Sequence, residues 1–138
     1  MTRPPDRARR VTILLDTHAW AWAVNEDEAL SPAARRAIAA APRRLVSVVS
    51  VFEIAQKVRI GKWPEMEGKL DDLPALIEAH GVGFQGVTAE VARVAGSMPW
   101  PNRDPFDRLI AATALATGLP LVSADAAFDT LPGLRRLW

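Results

Sequence analysis

The chain has 138 residues, of which 49% are hydrophobic and 24% are charged, a composition typical of one globular domain rather than a disordered chain. It has no cysteine, which excludes disulfides, thiolate metal sites and a thiol nucleophile, and its two histidines exclude a three-histidine zinc site. The net charge of +1 argues neither for nor against a nucleic-acid partner, and the longest stretch without a charged residue is too short to span a membrane. We expect a cytoplasmic protein.

The first ten residues differ in composition from the rest. They contain four arginines (Arg3, Arg7, Arg9 and Arg10), next to two consecutive prolines. A short terminal segment of this kind favours disorder. We therefore predict a disordered basic tail over residues 1–10 and one folded domain over residues 11–138.

The first half of the chain alternates strand-like and helix-like segments. Residues 11–15 (VTILL) form an apolar run typical of a buried parallel strand. Ser31 followed by Pro32 is a typical helix start, and Ser50 is predicted to cap a later helix. The segments in chain order are a strand at 11–15, helices at 17–24 and 32–41, a strand at 45–49, a helix at 50–60 and a polar linker at 62–69.

The second half continues the alternation. Thr88 suits the start of one helix, and Gly118 suits the end of the strongest one. The segments in order are a helix at 71–80, a strand at 82–87, a helix at 88–97, a rigid loop at 98–103, a helix at 105–117, a strand at 119–123, a short helical turn at 124–129 and an edge strand at 134–138. This order predicts an α/β fold with a parallel sheet and helices on both faces.

Four acidic residues stand where a predicted strand gives way to a helix, or in the first turn of a helix. They are Asp16, Glu53, Asp107 and Asp125. In parallel sheets, ligands bind beyond the carboxyl ends of the strands, so we expect these four side chains to converge there. Carboxylates packed closely repel one another, and Mg²⁺ or Mn²⁺ relieves that repulsion while binding a substrate phosphate. The pattern predicts a metal site that activates a water.

Each acid also has a purely local interpretation. Asp16 and Asp125 suit helix caps, and Asp104 with Asp107 suits the start of the helix at 105–117. Glu53 forms a potential capping box with Ser50 and precedes Lys57 by four residues, a common surface pair. The shared edge of the sheet favours the metal site over four separate caps.

Four segments together resemble the PIN-domain ribonucleases, and most closely the VapC-type toxins of bacterial toxin–antitoxin pairs. The segments are residues 14–19 (LLDTHA), 51–57 (VFEIAQK), 103–111 (RDPFDRLIA) and 121–125 (LVSAD). The resemblance implies a three-layer α/β/α domain with a central parallel sheet of four to five strands. It also implies a Mg²⁺- or Mn²⁺-dependent endoribonuclease that forms a homodimer and is inhibited by a cognate VapB-like antitoxin.

The resemblance also implies roles for single residues. Asp16 and Asp107 would ligate the metal directly, Glu53 would bind through water or orient the attacking water, and Asp125 would complete the site. Thr17 and Ser123 match small hydroxyl residues that support the acids. Asp104 also matches the motif, with capping as its first role. Asn102 stands where the family commonly has histidine.

Other interpretations remain open. A non-catalytic interaction module with the same fold is the main alternative, and a phosphoacceptor receiver domain is disfavoured because Thr17 rather than an acid follows Asp16. His18 and His80 are a conceivable acid–base pair of a metal-free ribonuclease. Trp20 and Trp22 lie too close along one helix for both to face the core, so one is a candidate contact for a partner. Four cationic residues are candidates for an RNA path or for plain solvated surface: Arg59, Lys62, Arg103 and Arg108.

Overall fold

The sheet follows the predicted parallel arrangement. The computed structural model describes residues 11–138, so the predicted basic tail lies outside the described residues. Five strands pair in the order β3-β2-β1-β4-β5, and every neighbouring pair is parallel. The strands are β1 (Ile13–Leu15), β2 (Arg44–Ser47), β3 (Val82–Gln85), β4 (Leu121–Val122) and β5 (Arg136–Leu137).

Six α-helices and two 3₁₀ helices connect these strands. The α-helices are α1 (Thr17–Val24), α2 (Pro32–Ala40), α3 (Val48–Arg59), α4 (Leu73–Ala79), α5 (Ala89–Ser97) and α6 (Pro105–Thr117). The 3₁₀ helices span Pro64–Lys69 and Ala126–Thr130. Within residues 11–138, no helix combines the length and the apolar character that a membrane crossing requires.

Local chemistry sets most helix ends as predicted. Ser31 caps α2 by accepting a hydrogen bond from the Ala34 amide, with Pro32 in the first turn, and Thr88 caps α5 through the Val91 amide. Helix α6 begins at Pro105 as predicted. It ends at Gly118, whose φ of 70° is a left-handed conformation that favours glycine.

Two predictions from the sequence are wrong. Ser50 does not cap α3; the helix begins earlier, because the Ser47 hydroxyl accepts a hydrogen bond from the Val49 amide and ends β2 at that point. The segment 62–69 is not simply a polar linker, since Pro64–Lys69 forms a 3₁₀ helix with Met66 fully buried. One apolar anchor among polar residues is too weak a periodic signal to reveal this turn from the sequence.

The sheet carries a hydrophobic core on each face, which produces three layers. Ile13 and Leu15 of β1 face one core, which includes residues from α1, α2, α3 and α4. Leu14 points the other way, into a core formed with α6 and the second 3₁₀ helix. Successive side chains of a strand alternate between faces, so the run of apolar residues in β1 serves both layers.

The strand order reverses direction beside β1, and this geometry locates the candidate site. The chain builds β2 and β3 on one side of β1 and then places β4 and β5 on the other. The Asp16 amide donates to the Val122 carbonyl at 3.0 Å, so β1 and β4 end side by side. Parallel α/β sheets bind ligands at such a switch point, beyond the carboxyl ends of the strands.

Candidate active site

A pocket of about 370 Å³ opens at this switch point, and the predicted acids line it. Asp16 follows β1, Asp125 follows β4, Glu53 belongs to α3, and Asp104 and Asp107 belong to the start of α6. The residues that line the pocket are Asp16, His18, Trp22, Glu53, Lys57, Asp104, Asp107, Ala124 and Asp125. The four acids of the predicted cluster therefore border one pocket.

Asp16 and Asp125 each cap a helix as well as lining the pocket. One oxygen of Asp16 accepts from the Ala19 amide at 2.8 Å, and Asp125 accepts from the Ala127 amide at 2.9 Å. The buried Ser123 hydroxyl accepts from the Asp125 amide at 3.0 Å and lies near enough to Asp16 to lower the pKa of that carboxyl. Ser123 thus links the chain ends of β1 and β4. Asp16 and Asp125 therefore cap helices and line the pocket at the same time, so the two interpretations drawn from the sequence are compatible.

The start of α6 holds Asp107 through its neighbours. Asp104 caps the helix, accepting from the Phe106 amide at 2.8 Å and the Asp107 amide at 3.2 Å, as predicted. The Asn102 side chain donates to Asp107 Oδ2 at 3.1 Å, and its own oxygen accepts from the Asp104 amide at 2.9 Å. Asn102 therefore orients the Asp107 carboxylate through an amide contact.

Arg108 is not solvated surface and does not line the pocket. Its guanidinium donates to the carbonyls of Ala95 at 2.7 Å and of Trp100 and Asn102 at 2.8 Å each, and a further nitrogen donates to the Met98 carbonyl. Arginine offers five N–H donors in a fixed plane, so one side chain can hold a loop that has no regular structure of its own. Arg108 therefore fixes the loop at 98–103 that delivers Asn102 to Asp107.

Glu53 is held by a different set of contacts from the predicted capping box. It is only 4% exposed; one carboxylate oxygen accepts from the Thr17 hydroxyl at 2.6 Å and the other from Lys57 Nζ at 2.6 Å. The Ser50 hydroxyl lies 2.8 Å from that of Thr17. Because the single proton of Thr17 goes to Glu53, Ser50 donates to Thr17. The pair of Glu53 and Lys57 is therefore part of the pocket and not a surface pair.

The surroundings of Asp16 and Asp107 disfavour the ionised form of each carboxyl. Burial raises the pKa of Asp16 from 3.8 to about 6; hydrogen bonds from Ser123 and Ala19 oppose the rise, and repulsion from Asp107 and Glu53 adds to it. Burial also raises the pKa of Asp107 from 3.8 to about 6; the Asn102 amide opposes this, and Asp104, Glu53 and Asp125 repel its charge. The two acids are thus close enough to the other carboxylates to disfavour full ionisation.

The donor set suits a hard divalent cation. Every acidic side chain that lines the pocket offers carboxylate oxygens, the ligands that Mg²⁺ and Mn²⁺ prefer, and a cation there would relieve the burial and repulsion that Asp16 and Asp107 experience. Among residues 11–138, no three acidic, histidine or cysteine side chains are placed so that they could hold a metal ion together. Mg²⁺ typically keeps several waters and binds through one or two protein carboxylates, so it does not require such a group.

Sequence reasoning assigned other roles to three residues that line the pocket and are not acidic. His18 and Trp22 follow Asp16 on α1, and Lys57 lies one turn after Glu53 on α3, so all three reach the pocket. Helical spacing from the acids was the signal available for them. His18 and His80 do not form the acid–base pair considered from the sequence, because His80 precedes β3 at the amino edge of the sheet. Its Nδ1 donates to the Leu76 carbonyl oxygen at 2.8 Å and does not reach the pocket. Trp20 is fully buried, and Trp22 is the partly exposed one of the two.

Comparison with known proteins identifies the family. The PIN domain family model matches residues 13–134. Ribonuclease VapC22 of Mycobacterium tuberculosis (strain ATCC 25618 / H37Rv) is 38% identical over 119 residues, which cover 83% of this chain and 87% of that protein. The chain belongs to the PIN-domain family. The resemblance noted in the four sequence segments is therefore confirmed.

Solved structures support the PIN fold along nearly the whole chain. The crystal structure of VapBC2 from Rickettsia felis, bound to a DNA fragment from their promoter, matches with a TM-score of 0.66 at 18% identity over 91% of this chain and 97% of that one. Mycobacterium tuberculosis VapC20, described as a Sarcin-Ricin loop cleaving toxin, matches with a TM-score of 0.58 at 20% identity over 89% and 98%. At these identities the likeness shows that the PIN fold is shared.

Proposed function

We propose that this PIN domain is a metal-dependent endoribonuclease that hydrolyses RNA phosphodiester bonds and serves as the toxin of a toxin–antitoxin pair. The observation that carries the proposal is the meeting of Asp16, Glu53, Asp107 and Asp125 in one pocket at the switch point. Ribonuclease activity in the name of the 38% identical relative supports the same substrate class.

Asp16 and Asp107 are the direct ligands in this proposal, since burial and the charges of neighbouring carboxylates raise the pKa of both, and a cation would relieve that penalty. Asp125 completes the ligand set from the end of β4. A bound Mg²⁺ or Mn²⁺ supplies the positive charge that lowers the pKa of a water and stabilises the phosphate oxygens. The first turns of α1 and α6 also lie at the pocket, and the positive ends of the two helix dipoles favour an anion there.

Glu53 orients the attacking water in this scheme. Its two oxygens already accept from Thr17 and Lys57, and each retains a second lone pair for a water molecule. These contacts fix the carboxylate in one orientation before substrate arrives. Thr17 and Ser123 position the acids and touch no substrate.

Cleavage of RNA by purified variants tests the proposal. Asp16→Asn and Asp107→Asn keep the shape of each side chain and the cap at Asp16, so both variants are expected to fold and to lose cleavage on the order of 100-fold or more in Mn²⁺. Asp71→Asn, which removes an exposed acid outside the pocket, is the matched control and retains activity. Unimpaired cleavage by both pocket variants would defeat the proposal. A wild type that neither cleaves RNA nor gains stability with Mn²⁺ would support the non-catalytic module instead.

Protein partners follow from the same family membership. We propose a VapB-like antitoxin and a second copy of the chain as partners. On α3, Phe52 is 62% exposed and Val48 is 42% exposed, and Phe52 lies 5.8 Å from Phe106 between ring centroids. Exposed apolar surface of this kind commonly marks a protein contact. Phe52→Lys is expected to weaken self-association in light scattering, and an unchanged mass would contradict that assignment.

A further inference from the structure

One wall of the acidic pocket is aromatic and basic. His18, Trp22 and Lys57 line it, next to the carboxylates of Asp16 and Glu53. His18 is exposed, and the Lys57 side chain is 28% exposed. The proposed hydrolysis assigns no role to His18 or Trp22, although both open onto the same pocket as the acids.

Trp63 supports the wall from behind. The His18 ring stacks on Trp63 with 4.7 Å between centroids and 20° between planes, and Lys57 Nζ lies 5.7 Å from the centroid of the Trp63 ring. Trp22 packs against His18 at 5.6 Å and against Trp138 at 5.8 Å. The imidazole and the ammonium therefore share one aromatic support, which holds them side by side.

The segment that carries Trp63 is itself anchored. Trp63 immediately precedes the 3₁₀ helix Pro64–Lys69, and Met66 of that helix is fully buried. Asn25 at the end of α1 accepts from Lys69 and contacts the Met66 sulfur. The Trp63 ring is thereby fixed relative to α1, which carries His18, so the orientation of the His18 ring is set before any ligand binds.

The chemistry of this wall matches a nucleotide. A flat, exposed ring offers a stacking surface for a base, and such stacking tolerates every base because each has a π face. Lysine has three N–H donors, and Lys57 uses one of them on Glu53. The remaining donors lie at the pocket that holds the acids, where the phosphate of a bound RNA strand would pass.

We propose that His18 and Lys57, supported by Trp63, bind the nucleotide next to the cleaved phosphate, with the base on the His18 ring and a phosphate oxygen on Lys57. This inference rests on the proposed ribonuclease function, since it assigns the substrate contact of the same pocket. His18 acts by its aromatic surface and transfers no proton. Because stacking alone discriminates little between bases, the wall favours a single-stranded segment without selecting its sequence.

RNA binding measured apart from cleavage tests the proposal. The assay uses fluorescence anisotropy of a labelled single-stranded oligoribonucleotide of randomised sequence, with EDTA, in the Asp107→Asn background so that the probe stays intact. A second probe has the same ribose-phosphate backbone without bases. The variants are His18→Ala, His18→Phe, Lys57→Met and Lys57→Arg. The controls are His80→Ala, at the amino edge of the sheet, and Arg59→Met, which removes an exposed charge from α3 about 200° around the helix from Lys57.

Each variant has a distinct expected result. His18→Ala weakens binding of the RNA about five- to tenfold and leaves binding of the abasic probe unchanged, whereas His18→Phe retains RNA affinity because the ring remains. Lys57→Met weakens both probes and reduces the slope of log affinity against log salt by about 0.7, and Lys57→Arg restores it. The two control variants bind like the parent.

Either of two binding results would overturn the inference. One is His18→Ala binding RNA as tightly as the parent, and the other is equal weakening of both probes by His18→Ala, which would point to misfolding or charge rather than stacking. Failure of the proposed ribonuclease function is distinguishable. A wild type that does not cleave RNA in Mn²⁺ contradicts that function, whatever the binding measurements show. A wild type that cleaves, with KM unchanged in His18→Ala, defeats only the inference.

Discussion

Glu53 and Asp107 enter the same pocket from two helices and meet opposite electrostatic conditions. Glu53 is the more deeply buried, yet it accepts hydrogen bonds from Thr17 and from the Lys57 ammonium. Asp107 is half-buried and receives one side-chain contact, from the neutral Asn102 amide, while Asp104, Glu53 and Asp125 repel it and its pKa rises to about 6.

This difference in charge partners distinguishes two roles, metal ligation and the positioning of a water, within the one acidic cluster that the sequence pattern predicts. A carboxylate with its own cation inside the protein gains little from a second cation, so Glu53 is suited to hold a water in place. A carboxylate without one gains most when an ion arrives, which suits Asp107 and Asp16 as ligands. Burial alone does not decide the role; the partner of the charge does.

Substitution of Arg108 is expected to have the largest effect, because it disrupts the loop that positions Asp107. Arg108→Ala leaves four backbone carbonyls without their donor and releases the loop that carries Asn102. We expect a loss of about 3 kcal/mol in the free energy of unfolding, or about 10 °C in Tm. Arg103→Ala, an exposed arginine of the neighbouring loop position, is the control and changes Tm little. Equal Tm values for the two variants in calorimetry would contradict the clamp.

Lys57→Met breaks the Glu53 side by leaving a buried carboxylate without its cation. We expect a loss of about 1–2 kcal/mol at pH 7.5, reduced below the value for a fully buried pair because Lys57 is partly exposed. The double variant Glu53→Gln/Lys57→Met removes the stranded charge and recovers most of that loss, since glutamine still accepts from Thr17. Urea titration measures both, and a double variant no more stable than Lys57→Met would refute the explanation.

Asp107→Asn tests the raised pKa of Asp107 through the pH dependence of stability. Its expected change in the free energy of unfolding is the smallest of the three. The folded state raises the pKa of Asp107 from 3.8 to about 6, so it binds the proton more tightly than the unfolded state does. The contribution to stability is therefore present below pH 3.8 and is lost as pH rises to about 6. Without metal, the variant should be about 1 kcal/mol more stable than wild type at pH 7.5, after allowance for partial exposure, and no more stable near pH 3.5. A stability difference independent of pH would contradict the assignment.

Much of the fold follows from the sequence because its signals are local. The apolar run at 11–15, the Ser31-Pro32 start and the segment from Pro105 to Gly118 each specify one element by propensity and capping alone. The parallel order of strands and helices then limits the topology, which places the acids at one edge. The acidic half of the site was predictable for this reason.

The supporting half of the site depends on contacts that no local pattern encodes. Ser50 reads as a helix cap, but it donates to Thr17, which lies 33 residues away. Arg108 reads as surface, and only the folded loop brings four carbonyls around it. Trp63 belongs to a segment whose single buried anchor, Met66, has no periodic partner. These residues are selected by tertiary packing, which a reading of successive residues does not reveal.

Titration of Mn²⁺ into the metal-free protein by calorimetry at pH 7.5 tests the central claim most directly. We expect the wild type to bind the ion and gain thermal stability, Glu53→Gln to retain most of that binding, and Asp16→Asn/Asp107→Asn to lose it while being more stable than wild type without metal. Binding of Mn²⁺ that depends on Glu53 and survives the double substitution of Asp16 and Asp107 would contradict the account.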